Sequence, residues 1–432
     1  MRRVHLSFLG LGSYDPITKK HDYKPAIYKI DRKEPSDRTK FVQVAEAQIL
    51  QETGFDIFIV VATQASHDLH RADLEEALRE RGVQNIEWII IEETMTAEGQ
   101  WKWFEEILRR IEIGDELTVD LTHGYRSTPI IFSTAVNFLQ KSRKVTLRAA
   151  YYGVFEKRDE NDITPIVDMK DFFVINEWAE AVSRLVEDAD MRKLAAVASD
   201  LPYFQSGGLN DPDLVKALNE LTTAIRNVEV NAVATKAKRA LELVEIRRRK
   251  TTETGRALLD LVVDKFACIA ADEPTAYNED FFRLQLEIVH ILLEHKLFMQ
   301  AYAVMRELIG SIGMILLQKK NRLNSQERGR RTRYSSVFVN MLQIDESEWR
   351  FEGDEKILQK KLEPTYEALK KAGVIQVLRG FAKVLVDYRN GFDHAWTSKS
   401  AAYTDIEKKG ADMLEELRKA VALLKESGFL TS

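Results

Sequence analysis

Cysteine is almost missing from this chain of 432 residues: a single thiol, Cys268, sits in an apolar run. One cysteine excludes an intrachain disulfide framework and a cysteine-rich zinc site, and it suits a cytoplasmic setting. No stretch reaches the roughly 18 consecutive apolar residues that a membrane span needs. The opening apolar run, Val4 to Leu9 behind Arg2 and Arg3, is too short for a secretory signal and reads as a strand. Proline is scarce, nine residues in all, and no disordered tail is expected. A surplus of positive charge is also absent, since 63 Lys and Arg against 68 Asp and Glu give 63 − 68 = −5. Net charge therefore does not advertise nucleic-acid binding, and any RNA site must rest on local groups. What is present is 45% hydrophobic content, enough to bury a large core spread over two or three domains.

Two periodicities divide the chain. Val4 to Leu9, Phe55 to Ala62, Ile86 to Ile91, Leu117 to Leu121 and Val145 to Tyr152 are short apolar runs that read as strands. Between them Lys40 to Glu52, Leu69 to Arg81, Gln100 to Ile111 and Pro129 to Lys141 read as amphipathic helices. Near-continuous apolar strands alternating with helices predict a parallel sheet covered on both faces, an open α/β fold of Rossmann type. Lys20 to Thr39, with Pro25 and Pro35, reads as an insertion or irregular crossover. Ile163 to Ile166 adds a further strand, and from Trp178 onward the chain is helical almost to its end, broken at Ser199 to Asp213 and Ala271 to Asn278. The boundary is expected near residue 170.

In open parallel sheets ligands bind where strands end, so the loops after the strands are the first candidates. After the first strand, Gly10-Leu11-Gly12-Ser13-Tyr14-Asp15 lacks the third glycine and immediate helix of a dinucleotide fingerprint, although its two glycines permit close approach to the backbone. After the second, Thr63-Gln64-Ala65-Ser66-His67 is small and polar ahead of a helix, as ordinary capping also requires. After the fourth comes Asp120-Leu121-Thr122-His123-Gly124-Tyr125-Arg126-Ser127-Thr128-Pro129. Pro129 stands like a first-turn proline and Thr128 like its cap, so the helix N-terminus with Thr122 and Arg126 makes either an anion site suited to phosphate or a structural turn.

Near the C-terminus, Tyr388-Arg389-Asn390-Gly391-Phe392-Asp393-His394-Ala395-Trp396 carries the chemistry. At about 100° per residue, Phe381, Leu385, Tyr388, Phe392 and Trp396 share one stripe, while Arg389, Asn390, Asp393 and His394 share the adjoining arc. Imidazole exchanges protons with a 2′-hydroxyl or a leaving 5′-oxygen, and guanidinium holds a phosphate bidentately, so such a set runs RNA cleavage without a metal. The same residues also suit a solvated helix face. Among other clusters, Lys319, Lys320, Arg322, Arg328, Arg330, Arg331 and Arg333 face one acid, Glu327, in a stretch able to guide RNA or to remain a solvated loop. Arg247 to Lys250 reads as an exposed helix end, and Arg306-Glu307 either supports the Arg389 face or pairs locally. His290 and His295 beside Glu287 and Glu294 lack a third ligand, so no metal site is expected.

Arg389-Asn390-x3-His394, with the aromatic stripe behind it, resembles the signature of HEPN ribonucleases. That resemblance implies an all-helical domain that cleaves single-stranded RNA without metal, two copies of the motif facing each other in a homodimer. The N-terminal order of Gly-rich loop, strand ending in Thr63-x-Ala65, and Asp120-x-Thr-His-Gly-Tyr-Arg-Ser-x-Pro129 resembles the CARF sensor domain of CRISPR-associated proteins. Thr164 to Met169 and Trp178 to Ala181 are similar to the segment leaving that domain. Together the resemblances imply a type III CRISPR ancillary ribonuclease of the Csm/Csx group: a sensor over residues 1–170, and a helical linker region with the nuclease over 171–432. They imply an activator, cyclic tetra- or hexa-adenylate, held by Gly10, Gly12, Ser13, Thr63, Ala65, Thr122, His123, Gly124, Tyr125, Arg126 and Ser127, with His123 or Tyr125 packed on adenine. His394 is then the general acid/base, Arg389 the phosphate stabiliser and Asn390 an orienting partner. Neither DNA nor membrane is an expected partner. Two other readings remain open at this point: a nucleotide-sensing protein without catalysis, and a nuclease acting on the ring itself at Thr122 to Arg126.

Overall fold

The computed structural model describes the chain apart from residues 18, 93–95, 124–127, 201–208, 275, 318–327, 397–404 and 431–432; side chains of 128–129, 200 and 328–330 are likewise outside the description. It divides into two compact units, Met1–Asn176 and Glu177–Ser432. No helix among the described residues is long and apolar enough to cross a membrane.

The first unit is built on a seven-stranded sheet. Strands β1 (Arg3–Leu9), β5 (Ile57–Thr63), β6 (Ile86–Ile91), β7 (Glu116–Asp120) and β8 (Thr146–Gly153) follow the apolar runs closely, with β4 (Ile27–Ile30) and β9 (Ile163–Asp168) beside them. All seven residues of β5 are buried, as a strand covered on both faces requires. Spatial order is β4-β9-β8-β7-β1-β5-β6, parallel except for the antiparallel pair β8 and β9. Helices α3 (Ala97–Arg110) and α4 (Thr128–Arg143) cover one face, where Trp103, Ile107, Phe132 and Val136 meet Leu6, Phe8, Ile59 and Val119. Helices α1 (Val42–Ile49) and α2 (Gln64–Glu80) cover the other, where Val44, Leu74 and Leu78 meet Phe58, Val60 and Ala62. Side-chain alternation along β1 therefore turns His5 and Ser7 towards α1.

Two expectations are corrected. Residues 20–39 are not merely an irregular crossover: β2 (Ser13–Asp15) and β3 (Lys20–Asp22) form a hairpin, and β4 adds the edge strand beside β9. Tyr28 and Ile30 alternate inward from β4, but four residues between Pro25 and Pro35 are too short a period for sequence alone to display. The sheet is also mixed at that edge, because β9 returns against β8.

The second unit is helical: α5 (Lys170–Asp188), which crosses the division between the units, leads to α6 (Arg192–Asp200), α7 (Pro212–Arg226), α8 (Val230–Arg248), α9 (Glu253–Phe266), α10 (Glu279–Glu294), α11 (Phe298–Gly313), α12 (Arg328–Gln343), α13 (Gly353–Lys371), α14 (Val374–Asp393) and α15 (Ile406–Glu426). Helix α11 is central, with Tyr302, Met305, Ile309 and Ile312 fully buried. It approaches α12 through Gly310 and Gly313, where added Cβ atoms would run into Ser335 and the Phe338 ring. Gly380, on the exposed side of α14, meets nothing within 4 Å. Gly313→Ala is expected to destabilise the protein by roughly 1–3 kcal/mol through overpacking. Gly380→Ala should stabilise it by ~0.5–1 kcal/mol. Urea unfolding midpoints of the two variants, at unchanged slope, check both signs.

Candidate functional site

After β1 the chain visits the far edge at β4, then builds β5 and β6 on one side of β1 and β7 and β8 on the other, so the direction of growth reverses between β1 and β7. At such a point the loops leaving adjacent strands part and open a crevice at the strand ends. The loop after β1 carries Gly10 and Gly12, the end of β5 carries Thr63, and the loop after β7 carries Thr122 and His123.

Tyr23 organises this end of the sheet. Its hydroxyl accepts from the Gly10 N–H and donates to the Gly10 carbonyl, both at 2.9 Å. Its ring packs against His123 at 4.7 Å and His70 at 5.1 Å. His70 in turn donates from Nε2 to the Leu11 carbonyl at 3.0 Å, tying α2 to the first loop. Gly12 adopts a φ of 80°, and a Cβ there would lie 2.6 Å from the Asp22 carbonyl. Its conformational freedom serves the close approach of the β2–β3 hairpin. Ser13 opens that hairpin and is exposed. Thr63 caps α2, accepting from the Ser66 N–H at 3.2 Å, and Ala65 is exposed in its first turn.

Thr122 is tied down twice: its N–H donates to Asp120 Oδ1 and its hydroxyl accepts from the Gly153 N–H, each at 2.8 Å. A Cβ at Gly153 would stand 3.1 Å from Thr122 Cγ2, a close fit that glycine relieves. Burial first, then His70, pushes His123 down to about 4, and its imidazole is neutral near pH 7. The ring that the resemblance offers to adenine packs on Tyr23 in this structure. Gly124, Tyr125, Arg126 and Ser127 lie outside the described residues. Tyr23 and His70 were missed, one inside a supposed insertion and the other within a helix whose period gave no hint of the loop it holds.

Beneath these loops, on the α1 face, lies a buried polar group. His5 Nε2 is 2.6 Å from Glu46 Oε2, and the imidazole stacks on Phe58 at 3.9 Å. Burial drives His5 down to about 3 and Glu46 well above its usual range, so the pair is a neutral carboxyl and a neutral imidazole. Asp120, fully buried, is pushed up to about 8 by burial and then by Glu46.

In the helical unit Phe381, Leu385 and Tyr388 are buried along α14, and Tyr388 stacks on Tyr302 of α11 at 5.5 Å. The helix does not continue through Trp396 as the stripe predicted. It stops at Asp393, with His394 as C-cap, its N–H donating to the Asn390 carbonyl at 2.9 Å. Ala395 and Trp396 take φ values of 49° and 54°, and the Trp396 N–H returns to the Gly391 carbonyl at 2.8 Å. The Trp396 ring thus doubles back onto Tyr388 and Phe392, over Gly391, where a Cβ would touch it at 2.5 Å. Arg389 forms an ion pair with Asp393, and its Nη1 lies 3.4 Å from Asn390 Oδ1. Asn390 and His394 are exposed beside it. One turn therefore presents guanidinium, amide and imidazole together, while its other side is locked in an aromatic cluster.

The remaining candidates are largely committed elsewhere. Arg306 donates to Glu307 at 2.8 Å and to Ser336 at 3.2 Å, and Arg331 pairs with the same Glu307 and with Ser311 at 2.8 Å. Arg333 stands 3.7 Å from Asp354. Lys319, Lys320, Arg322 and Glu327 lie outside the described residues, as do the side chains of Arg328 and Arg330. Arg247, Arg248 and Arg249 pair with Asp211, Glu245 and Asp260 at the end of α8. His295 reaches the Val186 carbonyl at 2.9 Å, and no acid or histidine cluster able to hold a metal occurs among the described residues.

No family model matches the sequence. It is similar to the CRISPR-associated protein MJ1674 of Methanocaldococcus jannaschii, 23% identical over 250 residues, covering 44% of this chain and 39% of that one. The chain thus spans about two fifths of its curated relative's length. A likeness in shape joins it to Enterococcus italicus Csm6 bound to cyclic hexa-2′-fluoro-hexa-dAMP, with a TM-score of 0.42, 11% identity and coverage of 98% and 95% of the two chains. The sequence relation agrees with the resemblance to CRISPR-associated proteins.

Because His123 titrates near 4 in the fold and near 6.5 when unfolded, the unfolded chain takes up a proton first as pH falls. Its contribution to stability is complete above pH 6.5 and is lost on the way down to about pH 4. Melting temperatures across that window should fall more steeply for the native chain than for His123→Phe.

Proposed function

We propose that the protein is a metal-independent endoribonuclease, controlled by a cyclic oligoadenylate and acting on single-stranded RNA in cytoplasmic CRISPR defence. The observation that carries this reading is the single exposed turn at the end of α14 that presents Arg389, Asn390 and His394 over a locked aromatic base. His394 takes the proton of an RNA 2′-hydroxyl or returns one to the departing 5′-oxygen, and histidine suits both steps near neutrality. Arg389 exchanges its Asp393 partner for the scissile phosphate, where a bidentate guanidinium gains most as charge accumulates. Asn390 orients the phosphate beside it. The 2′-oxygen closes on phosphorus as the 5′-oxygen leaves, so the products carry a 2′,3′-cyclic phosphate and a 5′-hydroxyl.

One such turn supplies one imidazole, and two protons move in the reaction. A two-fold homodimer that sets two turns face to face supplies both the acid and the base. Residues 1–170 then serve as the sensor and 171–432 as the helical linker and nuclease. A cyclic ring of adenylates matches a two-fold pair of strand-end crevices, each offering Gly10, Gly12, Ser13, Thr63, Ala65 and the loop from Thr122 to Ser127. Ligand preference for one dimer arrangement shifts the population towards aligned turns. Relationship to a CRISPR-associated protein supports this reading, as does the place of those loops at the reversal point of the sheet.

The test is cleavage of a fluorescent single-stranded RNA in EDTA, with and without cyclic tetra- and hexa-adenylate. One ring is expected to stimulate cleavage, the DNA of the same sequence to stay intact for want of a 2′-hydroxyl, and His394→Ala to lose roughly 10²–10⁴-fold in rate, the usual worth of general acid–base catalysis. Arg389→Ala should lose a similar factor. Uncut RNA under every condition, with a ring bound or consumed, would favour a sensor or ring nuclease instead.

A further inference from the structure

Asp120 ends β7 directly below the loop that carries Thr122 and His123, yet it cannot touch a ligand because none of its surface is exposed. Its carboxyl is nevertheless an anchor of that loop: Oδ1 takes the N–H of Thr122, at 2.8 Å, whose hydroxyl is held from the other side. From the opposite strand the Gly153 N–H donates to that hydroxyl, and Gly153 has no side chain to displace it. Thr122 is thus clamped between β7 and β8 at one defined height above the sheet.

The groups around the carboxyl make it a poor candidate for a charged role. Ser7 on β1 and Tyr151 on β8 stand beside it, Glu46 of α1 and His5 of β1 lie close enough to act on its charge, and Tyr23 and Tyr28 are close enough to feel it. No cation among these groups pairs with it, and burial keeps it protonated near pH 7. A neutral carboxyl that accepts through one oxygen is mimicked by a carboxamide, and not by a methyl group.

We propose that Asp120 is the positioning residue of the ligand crevice, fixing the height and orientation of Thr122 so that the loop after β7 receives the ring. The inference rests on the sensor reading given above. It separates two roles that a single substitution would blur, because Asp120→Asn keeps the acceptor for the Thr122 N–H while Asp120→Ala removes it.

The experiment combines amide hydrogen exchange of the full-length protein, followed on peptides covering Thr122 and Gly153, with equilibrium binding of cyclic tetra- and hexa-adenylate. In Asp120→Ala both amides should exchange faster, and ring affinity should fall by roughly tenfold or more, the cost of leaving buried partners unpaired. In Asp120→Asn exchange should match the native chain and affinity stay within about threefold, as expected when the same acceptor is retained. Unchanged affinity in Asp120→Ala overturns the proposal, as does affinity lost with exchange unaltered, or an Asn variant as impaired as the Ala variant. If the native chain binds neither ring, the sensor reading fails; faster exchange in Asp120→Ala alone then still shows that Asp120 holds the loop, and unaltered exchange refutes that too.

Discussion

The reversal of strand order at β1 is the constraint on which the first unit depends. β1 lies between β5 and β7, and the buried faces of all three leave only their ends for chemistry. Because connections on the two sides of β1 diverge, the loops at the carboxyl ends of β1 and β7 cannot pack on a shared helix, and they are joined instead by a side chain reaching across. Tyr23 is that link, its phenol on Gly10 and its ring on His123, while His70 steadies the first loop at Leu11 and Asp120 the second at Thr122. Removing water from such groups is costly, and each is compensated by a hydrogen bond to backbone.

The two candidate sites solve opposite electrostatic problems. At the strand ends, burial strips charge from His5, Glu46, Asp120 and His123, leaving a neutral and directional lattice that holds shape without long-range fields. At the end of α14 the groups remain in contact with water, and Arg389 keeps a carboxylate partner that a phosphate can replace.

Much of this was legible in the sequence, for identifiable reasons. Strands β1, β5 and β7 are buried along nearly their whole length and β6 and β8 along part of theirs, so short runs dominated by apolar residues mark all five, and the amphipathic helices between them keep a clear period. The strand β4 was illegible because an edge strand four residues long needs only two inward side chains, Tyr28 and Ile30. Antiparallel β9 was visible as a strand but not in its direction, which is decided by the turn before it. At the C-terminal motif, the aromatic spacing put Tyr388 on the buried stripe of α14, but not its partner Tyr302, and the helix stop after Asp393 carried no glycine to mark it: Ala395 and Trp396 adopt the left-handed conformation themselves. The roles of Tyr23 and His70 arise from contacts between separate segments, which local periodicity cannot report.

That unmarked stop has a mechanical consequence. Arg389 and Asn390 belong to a regular helix whose aromatic side is pinned by Tyr302, whereas His394 stands at the first residue beyond it, between the ladder and two left-handed residues. Arg389 is therefore mounted on a stiff rod and His394 on its pivot. A small rotation about the His394 backbone swings the imidazole relative to the guanidinium without bending α14 or disturbing the core of the helical unit.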